Sequence, residues 1–136
     1  MRKLISILII LTAIPLLIGC TGNKTIEASL DKEFTLAIGQ TASISGENLK
    51  IKFVDVTADS RCPKDVQCPW AGEVKCLLEI TSNGSTQEVE LTQLGGGSAE
   101  GQKVGDYTYK FTVEPYPEST KEIQKADYRL IMTVSK

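Results

Sequence analysis

An all-β fold is predicted for this chain by three observations. Apolar residues alternate with polar ones or gather in short β-branched runs, turn signals recur about every eight to twelve residues, and no convincing helix of about ten residues is present. Phe34, Leu36 and Ile38 alternate ahead of Gly39-Gln40, and Ala42 and Ile44 precede Ser45-Gly46. Leu49, Ile51 and Phe53 share a parity that Val54 and Val56 break, which predicts a bulge or two-faced burial near Val54. Val74, Cys76, Leu78 and Ile80 form the cleanest alternation. It ends at Ser82-Asn83-Gly84-Ser85, a hairpin signal from which Val89 and Leu91 return. Tyr107, Tyr109, Phe111 and Val113 make a further strand, stopped at Glu114-Pro115-Tyr116-Pro117, where two prolines forbid the ladder to continue. Residues 119–126 have room for one helical turn before Tyr128, Leu130, Met132 and Val134 close the domain. About seven short strands in residues 32–136 predict a single antiparallel β-sandwich of immunoglobulin-like size, or a small barrel.

Composition narrows the chemistry. The 136 residues carry fifteen Lys and Arg against seventeen Asp and Glu, so the basic excess of a nucleic-acid binder is missing and no nucleic-acid partner is expected. Histidine is absent, which removes Ser-His-Asp and Cys-His catalysis, His-ligated metals and a histidine pH switch. The glycine-rich stretch at 94–101 lacks the lysine and the following amphipathic helix of a phosphate loop. No cofactor is expected, and no enzymatic activity.

Residues 1–19 differ from the rest. Arg2 and Lys3 precede an apolar run at 4–18 that would span about 22 Å as a helix, short of about 30 Å of hydrocarbon core, and Pro15 interrupts it. The run therefore reads as a signal peptide. It closes with Leu17-Ile18-Gly19-Cys20, which resembles the lipobox of bacterial lipoproteins. That resemblance implies cleavage before Cys20, diacylglycerol on its sulfur, and commonly a further acyl chain such as palmitate on the new amino terminus. Two or more acyl chains give stable anchoring where one does not. Thr21, in place of Asp, implies outer-membrane delivery if the bacterium has two membranes. The expected location is thus the extracytoplasmic face of the cell envelope. The mature chain would carry thirteen basic and seventeen acidic residues, a formal charge of −4. Residues 20–31 are polar without a sustained period and read as a flexible tether of roughly 20 Å reach.

With Cys20 committed to lipid, Cys62, Cys68 and Cys76 remain. Cys62 and Cys68 sit in a polar, proline-punctuated connection, whereas Cys76 shares the inward parity of Val74, Leu78 and Ile80. An exported chain meets an oxidising compartment, so Cys62 is paired with Cys68 and Cys76 is expected as a buried free thiol. Pairing Cys76 with either partner would pull a core side chain off its strand. A redox-active dithiol using Cys62 and Cys68 is the enzymatic alternative, but it usually shows closer spacing at a helix start. Three cysteines without histidine make a poor soft-metal site, so no metal is assigned. Asp55, Asp59, Asp65 and Glu73 read as a solvated acidic rim because the spacing of a calcium loop is missing. Trp70, the only tryptophan, is either an exposed anchor for a partner or, more simply, a cover over the cystine and one end of the core.

The segment DSRCPKDVQCPWAGE, with VEPYP and the closing ADYRLIMTV, resembles a group of small bacterial secreted proteins and lipoproteins that share an SRCP-x4-C-x-W-x-G pattern. Cys62, Pro63, Cys68, Trp70 and Gly72 are the matching positions, and Cys76 departs from the pattern. The resemblance implies an exported all-β domain and carries no activity or ligand with it. The expectation is therefore a lipid-anchored envelope protein with a non-catalytic binding or structural role. Its partners would be the membrane, through Cys20, and an unidentified envelope protein or small ligand. Arg61, Lys64, Asp65 and Trp70 are the candidate binding loop. An inhibitor of an incoming hydrolase, inserting the loop from Cys62 to Trp70, is a special case distinguished by exposure of that loop.

Overall fold

The computed structural model describes residues 24–96 and 100–136; the expected signal peptide, Cys20 and the middle of the glycine-rich stretch lie outside them. Nine strands occur among the described residues: β1 (Thr25–Ala28), β2 (Phe34–Ala37), β3 (Thr41–Ile44), β4 (Leu49–Asp59), β5 (Glu73–Ser82), β6 (Ser85–Leu94), β7 (Gln102–Val104), β8 (Tyr107–Glu114) and β9 (Arg129–Ser135). They form a five-stranded sheet of order β1-β3-β4-β5-β6 and a four-stranded sheet of order β2-β9-β8-β7. The two sheets pack face to face in a sandwich-like arrangement.

The period-two pattern becomes the core. Val74, Cys76, Leu78 and Ile80 on β5 are buried with Ile51 and Phe53 on β4. From the other sheet come Leu36, Tyr109, Phe111, Val113, Leu130, Met132 and Val134. Side chains that alternate along each strand point inward on both sheets, so burial of one parity covers the apolar set. The parity break near Val54 is a pair of register shifts against β5, between Phe53 and Asp55 and between Val56 and Ala58. Each inserts an unpaired residue and increases the local twist. The turn from β5 to β6 has positive φ at both Asn83 (50°) and Gly84 (81°), as a type I′ hairpin requires.

Three expectations need correction. Residues 25–28, read from the sequence as tether, form β1, which pairs in parallel with β3 from Thr25–Thr41 to Ala28–Ile44. The five-stranded sheet is therefore mixed, not purely antiparallel. β7, only three residues long, was not foreseen at all; with β1 it raises the strand number to nine. In 119–126 the expected turn is displaced to a short 3₁₀ turn at Lys125–Asp127.

The open edge of β6 is partly closed by a side chain. Gln102 of β7 donates its Nε2 to the Thr92 carbonyl, and its Oε1 accepts from the Thr92 amide at 3.4 Å. The carboxamide thus makes the two bonds that a neighbouring strand would make there.

Candidate functional site: the cystine-loop end

The connection between β4 and β5, residues 60–72, begins as an extension of their ladder. Ser60 N donates to Glu73 O at 2.8 Å and Cys62 N donates to Ala71 O at 3.0 Å. This close approach is why glycine stands at 72. Its φ is +71°, and a Cβ built there would lie 1.8 Å from the Ser60 carbonyl oxygen. Gly95, after β6, is pressed on the same segment: its amide donates to Gly72 O at 2.9 Å, and a Cβ would meet Ala71 O at 2.1 Å. Three backbones touch with no room for a side chain between them.

Beyond these contacts the loop closes on itself through the Cys62–Cys68 disulfide, with a Cα–Cα separation of 5.9 Å, as the sequence reading expected. Cys76 is a separate, free and fully buried thiol. Burial pushes its pKa up to about 12, so it is held as an unreactive thiol inside the core.

Arg61, expected in a binding surface, is turned inward and only 5% exposed. Its Nε and Nη2 meet the two Asp59 carboxylate oxygens at 2.8 and 2.6 Å. Nη1 donates to Val113 O at 2.6 Å and Nη2 to Pro115 O at 3.1 Å, while the guanidinium lies 4.9 Å from the Tyr116 ring centre. The planar fork satisfies a carboxylate and two carbonyls at once, which an ammonium of fixed position does not do. Tyr128 completes the cluster by donating its hydroxyl to Asp59 at 3.2 Å. Its phenol pKa is pushed up to about 12, first by burial and then by the neighbouring carboxylate. Arg61 therefore fastens the cystine loop to the end of β8 and is not available to a ligand.

Lys64 and Asp65 stay exposed but are also engaged. The Lys64 amide donates to Pro117 O at 3.0 Å, and its ammonium pairs with Glu118. That hydrogen bond raises the Lys64 pKa. Asp65 accepts from the Ser119 amide at 2.8 Å and from its hydroxyl, which hold the carboxyl below its ordinary range. Two segments outside the strands, 62–68 and 115–119, thus brace each other.

Trp70 stands outside this brace. It is 70% exposed and stands outside the buried core, so the expectation that it caps one end of the core is corrected. The chain reaches Trp70 through Pro69 and leaves through Gly72, which is held close against Ser60. Trp70, Val66, Pro69, the cystine and Tyr116 line an open depression. An adjoining one, sharing Gly96 and Tyr116 with it, is lined by Leu94 and Gln93. Among the described residues the large exposed hydrophobics are Val66 (49%), Leu94 (65%) and Trp70, and all three border these two depressions. The Gln93 Oε1 is buried there without a partner.

The other elements of the sequence reading fall elsewhere. Asp55, Asp59, Asp65 and Glu73 do not converge: they meet Lys125, Arg61, Ser119 and Lys75 respectively. No group of three metal-ligating side chains occurs among the described residues. A further hollow lies at the opposite end, lined by polar groups of Ser43, Glu47, Asn48 and Asn83. There Glu47 is committed to Tyr107 (2.6 Å) and Lys136 (3.0 Å), and the Tyr107 hydrogen bond leads the lowering of its pKa. The two cations next to Cys62 in sequence are both paired, Arg61 with Asp59 and Lys64 with Glu118. Comparison with family models, with curated proteins and with solved structures finds no match to the chain.

Proposed function

We propose that this is a lipid-anchored envelope domain whose role is non-catalytic binding, exercised through its cystine-loop end. The observation that carries this reading is the gathering of Trp70, Val66 and Leu94, all exposed, on a base fixed by a disulfide, a buried arginine and two glycine contacts. An exposed tryptophan on a rigid loop loses little freedom on contact, which is the property of an anchor residue. The lipobox-like Leu17-Ile18-Gly19-Cys20 supports placement outside the cytosol, with Cys20 carrying the lipid. Exposure of Trp70 also favours the narrower reading of a loop that inserts into an incoming hydrolase.

Site-specific photo-crosslinking in cells tests the binding end. Probes at positions 66, 70 and 94 are expected to capture neighbours, while probes at 48 and 83, at the far end, are not. Equal capture at both ends, or capture only at the far end, refutes the assignment. Loss of incorporated fatty acid in a Cys20→Ala variant checks the anchor separately.

A further inference from the structure

We infer that the cystine-loop end rests on the lipid surface itself, with Trp70 at the boundary between headgroups and acyl chains. This deepens the preceding reading and depends on lipid at Cys20. The direction of β1 carries the argument. Thr25 is level with Thr41 on β3, Lys52 on β4 and Glu79 on β5. Because β1 runs parallel to β3 and against β4, the chain traced backward from Thr25 heads the way β4 runs, toward residues 60–72. The Lys24 carbonyl still accepts from Thr41 N, so the heading holds as far as that residue.

Lengths agree with the direction. From the level of Glu79 to Glu73, where β5 meets the loop, is six strand residues, about 20 Å. From Thr25 back to Cys20 is five residues, at most about 17 Å, before the length of the glyceryl group is added. At full stretch this length ends about 3 Å short of the level at which β5 meets the loop, a gap the glyceryl group spans, whereas the opposite end requires the chain to double back within four residues.

Surface chemistry agrees as well. The cystine-loop end offers Trp70, Val66, Leu94 and the half-buried Tyr116; rings of this kind settle at membrane interfaces, with an apolar body and a polar edge. Its charges give no basic surplus: Lys64 is paired with Glu118, Asp65 is bonded to Ser119, and Glu114 is exposed. The contact is apolar, and the acyl chains supply the affinity while this end sets the orientation.

Trp70 is the sole tryptophan, so its emission reads the contact directly. The test uses full-length protein purified from membranes and returned to phosphatidylcholine vesicles. The expected result is a blue-shifted emission quenched by lipids brominated on the acyl chains, equally with and without added phosphatidylglycerol. A Trp70→Phe, Asn48→Trp variant, with its indole at the far end, is expected to emit as in water and to escape that quenching. Protein that floats with vesicles and carries acyl mass, yet shows water-like unquenched Trp70 emission, overturns the orientation while leaving the anchor intact. Blue-shifted emission that brominated lipid does not quench points to a protein occupant and also overturns it. An intact mass without acyl chains removes both this inference and the anchor.

Discussion

At one end of the sandwich, β5 turns into β6 through Asn83-Gly84, and β7 into β8 through Gly105 and Asp106. At the other, residues 60–72 and 115–128 run between strands with few ladder bonds of their own. The tight turns are specified locally, by residues that tolerate positive φ. Long connections have no such local solution, so their shape depends on contacts made across the fold: Arg61 with Val113 and Pro115, Asp65 with Ser119, Gly95 with Gly72. The difference teaches where rigidity has to be supplied by a few side chains, and the exposed Trp70 stands on that supplied base.

The largest effect is expected from Arg61→Ala. It strands Asp59 and two carbonyls in a buried site, and breaking such a pair costs about 3–5 kcal/mol. Urea unfolding should show the loss, and Arg61→Lys should recover only part of it because the fork geometry is missing. An unchanged midpoint for Arg61→Ala would mean that the long-loop end is held by something else.

Replacing Cys62 and Cys68 together by Ser should cost roughly 2.4 kcal/mol in the chain-entropy estimate for this small ring. The strands should survive, since Arg61 and the glycine contacts remain, but limited proteolysis should now cut within residues 63–67. Resistance equal to the wild type would show the disulfide to be redundant with the brace to 115–119.

Alkaline pH probes what lies between the ends. The folded pKa of Cys76 is raised from 9.0 to about 12, and those of Tyr109 and Tyr128 from 10.0 to about 12, in each case chiefly by burial. Above pH 9 the unfolded chain releases these protons and the folded chain keeps them, so stability is full below that pH and falls as pH climbs toward 12. Cys76→Ala should flatten the first part of that decline in denaturation midpoints collected across pH, and an unaltered slope would exclude the thiol as its source.

Trp70→Ala should have the smallest effect on stability, within about 0.5 kcal/mol, because the side chain is mostly in solvent. A clear drop in thermal midpoint would place the ring in the structural base after all. Together with the arginine variant, it separates the residues that build this end from the one that the end displays.

Strands β4, β5, β8 and β9 were legible from alternation, and the bulge near Val54 from its break in parity, because a buried face imposes its period directly on sequence. β1 was not, since Ala28 is its single buried residue, and β7 is too short to show a period. In the loop, parity and export chemistry were enough to separate Cys62 and Cys68 from Cys76. The inward turn of Arg61 was hidden because two of its acceptors lie more than fifty positions away in the chain; only Asp59, two residues before it at the strand end, hinted at a pair. Exposure of Trp70 was hidden because nothing in the local pattern distinguishes an outward indole from one folded onto the core.

The Gln102 carboxamide on Thr92 has a bearing on how copies of this protein coexist. A ten-residue border strand is the natural place for one copy to splice onto the next. With a peptide-like plug at Thr92 that seam is obstructed at one point, and the exposed Glu88 adds a charge farther along.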